Sequence, residues 1–115
     1  MFSWLNSYIP ELAAALEEAL ACPLRIMQQS QEGICLVLRV GSQCQLHLIA
    51  DLLVASELLA AAVRGAHHIA RANLESMDPD PRRAFWAKDL AHTLFAIEAE
   101  FQRLQGELLG RGPCP

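Results

Sequence analysis

The sequence predicts an α+β fold: a small antiparallel sheet packed with an N-terminal helix, a central helix and a long C-terminal helix. Two observations predict the sheet. In Gln43-Cys44-Gln45-Leu46-His47-Leu48 apolar and polar residues alternate, so Cys44, Leu46 and Leu48 fall on one side of an extended backbone and Gln43, Gln45 and His47 on the other. Just before it, Ile34 to Val40 is apolar on both sides, and Gly41-Ser42 supplies the residue types of a two-residue hairpin turn. A third observation predicts the helices: on either side of this stretch apolar residues recur every three to four positions.

Taken in order, Leu5, Tyr8/Ile9, Leu12, Leu16 and Ala19/Leu20 mark an amphipathic helix over 3–21 capped by Ser3, with Pro10 either kinking it or opening its regular part. Cys22-Pro23 ends that helix. Leu24 to Gln28 reads as a first strand, Ser30-Gln31-Glu32-Gly33 as a turn, and the strands at 34–40 and 43–48 complete a three-stranded meander. A second helix opens near Asp51 or Ser56 and carries Leu52, Ala55, Leu59, Ala62, Ala66 and Ile69 along one side. Residues 72–90 admit two readings. Asp80-Pro81 fits an N-cap and first helical residue, from which Trp86, Leu90, Leu94, Ile97, Phe101, Leu104 and Leu108 follow near-heptad spacing to residue 109. Alternatively a short hairpin occupies 74–88 and the final helix starts near Asp89. The whole is expected as a single domain, 1–115, folded over 3–109 with a flexible tail at 110–115.

Composition narrows function. Hydrophobic residues make up 53% and charged residues 19% of the 115, whereas ordinary domains are about one-quarter charged, so there is more apolar surface than a chain this short hides alone. A partner is the expected remedy, and a homodimer the simplest one. Its seam is expected on the central helix at Ala61, Ala62, Gly65, Ala66 and Ile69, where small residues four apart permit close helix approach. A net charge of −4 with scattered basic residues argues against nucleic acid. The apolar run Leu52 to Val63 is interrupted by Ser56 and Glu57 and falls short of the about 20 residues a bilayer needs, so no membrane insertion is expected.

The chemistry-bearing residues form no recognised constellation. His67 and His68, adjacent on a helix, diverge by about 100° and do not share an ion readily; His47 and His92 stand apart, so no metal and no cofactor are expected. Cys35 and Cys44 fall inside strands as small core residues, and no phosphate loop or nucleophile elbow is present. Enzyme activity is not expected. The first strand, at the edge of the meander, offers unpaired main-chain groups to an extended peptide, with Leu24, Ile26 and Met27 beside it and Trp4 and Tyr8 of the first helix as aromatic anchors.

The order of elements resembles the class I type III secretion chaperones of the Tir-chaperone fold. The likeness lies in Cys22-Pro23-Leu24 after the first helix, Glu32-Gly33-Ile34-Cys35-Leu36 leading into strands, Ala72-Asn73-Leu74 closing the central helix, and Asp78-Pro79 with Phe85-Trp86 before the last. It implies a cytoplasmic, non-catalytic dimer that holds an extended segment of a secreted effector protein. Two alternatives remain open: a dimeric nucleoid-associated DNA-binding protein, similar chiefly through Gly33 to Val40 and Glu57 to Ala72, or a structural subunit pairing through its long helices.

Overall fold

The computed structural model describes residues 10–43 and 45–111, and within them the chain is a bundle of three long helices. α1 runs Pro10–Gly41, α2 runs Ile49–Glu75 and α3 runs Pro81–Arg111; a single 3₁₀ turn, Leu46–Leu48, leads into α2. The bundle is elongated, 66 × 19 × 18 Å. Among the described residues there is no strand, so the expected α+β class is corrected to all-α.

The correction has a physical cause. Leu24 to Gln28 and Ile34 to Val40 lie inside α1, where Leu20, Leu24, Met27 and Ile34 recur at four, three and seven and form one buried stripe. The alternation at 43–48 spans too few residues to outweigh two long helical patterns, and its second half coils into the 3₁₀ turn. Pro23 does not end the first helix but sits buried within it. A proline cannot donate to the carbonyl four residues back, here that of Ala19. The side-chain amide of Asn73, from α2, donates to the Ala19 oxygen instead at 2.8 Å, and the helix continues.

The helices run up, down and up. Gly33 of α1 faces Leu59 of α2 and Gly41 faces Leu52, while Arg64 and Glu57 of α2 reach Glu98 and Gln105 of α3. α1 and α3, running parallel, meet where Gln31 and Cys35 bond Glu100 and where Arg82 pairs with Glu17. The core joins the α1 stripe to Ala60, Val63, Ala66, Ala70 and Leu74 of α2 and to Leu90, Ile97, Phe101, Leu104 and Leu108 of α3. Of the two readings of 72–90, the long helix is the observed one: Asp80 Oδ1 accepts from the backbone N–H groups of Arg82 and Arg83 at 2.9 and 3.1 Å, capping α3 at Pro81.

By length and composition the segment Leu46–Glu75 is apolar enough to cross a membrane, longer than the run Leu52 to Val63 suggested. Here it is the central helix of the bundle, with Arg64 and Glu57 bonded to α3.

Candidate functional site

Three places on the bundle bring side chains together in ways the isolated segments do not show. The first is a groove of about 330 Å³ between the end of α2 and the start of α3. His67 and Arg71, one turn apart on α2, share its wall with Glu75, and Arg83 closes it from α3; Leu74 and Leu90 form an apolar floor. Burial, then the neighbouring charges of Arg71 and His68, hold the His67 imidazolium below its ordinary pKa. A neutral imidazole beside two guanidinium groups can take a proton while the cations hold an anion. His68 turns outward, its ring centroid 6.1 Å from that of His67. Among the described residues, no three His, Cys, Asp or Glu side chains converge to hold a metal ion.

The second is a polar contact between α1 and α3. The Glu100 carboxylate accepts a hydrogen bond from Gln31 Nε2 at 3.1 Å and another from the Cys35 thiol. Bonding to the carboxylate pushes the Cys35 thiol pKa up and the Glu100 pKa down. This arrangement keeps the sulfur protonated, the opposite of what a nucleophile needs. Cys35, read from the sequence as a core strand residue, is exposed on the helix.

The third is an apolar face along α1 and α2. Ile26 and Val40 stand seven residues either side of Gly33, whose position against Leu59 fixes that stripe on the α2 side of α1. Leu58, Ala62, Gly65 and Ile69 recur at four, three and four on the neighbouring stripe of α2. Leu58 is 67% exposed and Ile69 56%. Leu36 and Val54 extend the patch, and a Cβ built on Gly65 meets nothing within 4 Å. Ile26, Leu36, Val40, Val54, Leu58 and Ile69 leave an apolar patch of the kind that marks an interaction surface.

The structure separates the residues that the sequence grouped as contacts. Leu24 is buried and Met27 is 0% exposed, both in the core, whereas Ile26 is exposed; the strand edge they were to line is helix. Trp4 and Tyr8 lie outside the described residues. Of the expected seam, Ala61, Gly65 and Ile69 face outward, Ala62 is half-buried and Ala66 is in the core. Arg71, Arg83 and Glu100 were not singled out by sequence. His67 and Arg71 at four-residue spacing is a local signal, but Arg83 and Glu100 join their sites only through the bundle's pairing.

The described residues define an all-helical three-helix domain with a basic groove between α2 and α3 and exposed apolar residues along α1 and α2. The model of the formiminotransferase-cyclodeaminase family, in its C-terminal domain, matches residues 10–92, well over half the chain. The chain belongs to that family. The match takes in α1, α2 and the opening turns of α3, so the groove and the apolar face both lie within it. No curated protein and no solved structure is significantly similar to the chain. Membership in an enzyme's domain family overturns the resemblance to secretion chaperones, and the nucleoid-associated and structural-subunit alternatives with it. It also removes the ground for expecting no connection to catalysis. The chaperone likeness took Glu32-Gly33-Ile34-Cys35-Leu36 as leading into strands and the nucleoid-associated one used Gly33 to Val40, and all of these residues are helical.

Proposed function

We propose that this chain is a cyclodeaminase-type helical domain that acts as an assembly of two copies, joined through the α1/α2 face. The second-named activity of the family, ring closure with loss of ammonia, is the one carried over, because the matched domain is the C-terminal one. The observation that carries the assembly is the face itself. Leu58 and Ile69 stand exposed on either side of Gly65, and between Val54 and Ile69 the positions 54, 58, 61, 62, 65 and 69 hold no charge. Stacking two α1/α2 hairpins makes a four-helix layer in which Gly65 lets the backbones approach closely. Cys22 and Cys35 as free thiols support a cytoplasmic setting for it.

Light scattering of the full chain at micromolar concentration should give a dimer mass, and Leu58→Glu with Ile69→Glu should give a folded monomer, since both positions are exposed in the single chain. A monomeric parent protein removes the assembly reading. Ammonia release from a formimino-bearing amine by the dimer, and its loss in the monomeric variant, tests the enzymatic part.

A further inference from the structure

From the groove between α2 and α3 we infer a binding site for a small dianion, phosphate-bearing or carrying paired carboxylates, held by Arg71 and Arg83. This goes beyond the proposed assembly and stands whether or not the α1/α2 face pairs. Three arginines of the bundle spend their charge on carboxylates: Arg25 bonds Glu18 at 2.8 Å, Arg64 bonds Glu98 at 2.8 and 2.9 Å, and Arg82 bonds Glu17 at 2.8 Å. Arg39 and Arg103 have no ion-pair partner among the described residues, so what sets Arg71 and Arg83 apart is that they are unpaired and face one cavity together. Among the described residues Arg71 has no ion-pair partner, and the Arg83 guanidinium reaches no carboxylate there but the carbonyl of Met77 at 3.4 Å. Both line the same cavity, from different helices.

The remaining charge in the groove is the Glu75 carboxylate, with no ion-pair partner among the described residues. The balance is therefore two cations to one anion, and His67 adds a hydrogen-bond group on the same wall. An apolar floor of Leu74 and Leu90 lowers the local dielectric, which strengthens each guanidinium's hold on an anion relative to open surface. Two planar forks approaching from two directions suit a ligand with two anionic oxygens apiece for each, which one phosphate group or one carboxylate satisfies less completely than two.

The full chain would be titrated with inorganic pyrophosphate and, separately, with glutarate, following the Nε–H resonances of Arg71 and Arg83 by NMR. Saturable shifts at both arginines with either probe support the site, and which probe binds tells phosphate from carboxylate chemistry. Arg71→Gln and Arg83→Gln should each weaken binding about five-fold or more, as loss of a charge-assisted fork requires, while Glu75→Gln should tighten it. Arg25→Gln, on a different helix and already paired, should leave it unchanged. Retained melting temperatures in the variants separate lost binding from lost folding. The inference is overturned if neither probe saturates by about 20 mM, weaker than a specific site would be, or if Arg25→Gln weakens binding as much as Arg71→Gln.

Discussion

The Asn73 side chain serves the very carbonyl that Pro23 leaves without a donor: its amide lies 2.8 Å from the Ala19 oxygen, four residues before the proline. One polar side chain of α2 thereby lets α1 run through Pro23 as a single helix of 32 residues. Replacing Asn73 by Leu strands a half-buried carbonyl and should cost about 1–3 kcal/mol in urea unfolding. In a Pro23→Ala background the backbone N–H of residue 23 returns, and the same replacement should cost less by about 1 kcal/mol. The coupling is the test, because Pro23→Ala alone trades relief of a proline penalty of about 3 kcal/mol against lost packing of a buried ring. Equal costs in both backgrounds would show that Asn73 does not act for the proline.

This contact also shows why the sequence misled at its centre. Pro23 reads locally as a terminator, and the group that rescues it lies fifty positions later, beyond the reach of any local pattern. Where signals were local they held: Asp80 caps α3, and Leu90, Ile97, Phe101, Leu104 and Leu108 are all buried as their spacing requires. The central helix was legible but turned. Its side was read through Leu52, Ala55, Leu59, Ala62, Ala66 and Ile69; of these Ala66 is in the core, Ile69 is exposed and the others are half-buried, whereas the core also takes Ser56, Ala60, Val63, Ala70 and Leu74. Leu59 and Ile69, large apolar residues that are half-buried and exposed, drew the reading about one position away from the small residues that do the packing. The groove was illegible for a different reason, since Arg83 comes beside Arg71 only once residues 81–90 are known to be helix folded back on α2 and not the hairpin the sequence also allowed.

Three glycines should respond to alanine in a fixed order. A Cβ on Gly65 meets nothing within 4 Å, so Gly65→Ala should stabilise the isolated chain by about 1 kcal/mol through helix propensity alone. On Gly33 it would stand 3.0 Å from Leu59 Cδ2, the end of a half-buried side chain that can shift, leaving a smaller gain. On Gly41 it would stand 2.5 Å from Cδ2 of Leu108, which is 1% exposed and has little room to yield, so that change should destabilise. Thermal melts at low concentration give the order, and a Gly41→Ala protein at least as stable as Gly65→Ala contradicts it.

Cys35 should alkylate slowly for an exposed thiol. Its hydrogen bond to Glu100 favours the protonated form and holds the thiol pKa above its ordinary value, so less thiolate is present at pH 8. Glu100→Gln removes the charge that disfavours the thiolate, and Cys35 should then react several-fold faster with iodoacetamide. Peptide mapping by mass spectrometry isolates this site from the other cysteines. Unchanged reactivity would mean that the carboxylate does not govern the sulfur.

The last prediction concerns acid. Burial, Arg71 and His68 lower the His67 pKa in the folded chain, so the unfolded chain takes up the proton first as pH falls through the ordinary imidazole range. Stability that His67 contributes is thus whole above about pH 6.5 and declines as pH falls through that value towards the lower folded pKa. A chain carrying His67→Gln should lose less stability between neutral pH and pH 5 than the parent. An NMR titration of the imidazole should place its midpoint below the ordinary histidine value, whereas a midpoint at or above that value removes the effect. The groove supplies a second reading of the same resonance. Arg71 from α2 and Arg83 from α3 face it with positive charge and Glu75 with negative charge, so a dianion bound between the arginines should raise the His67 midpoint by offsetting them. Pyrophosphate that saturates the arginine resonances yet leaves the His67 midpoint unmoved would place the anion away from the imidazole.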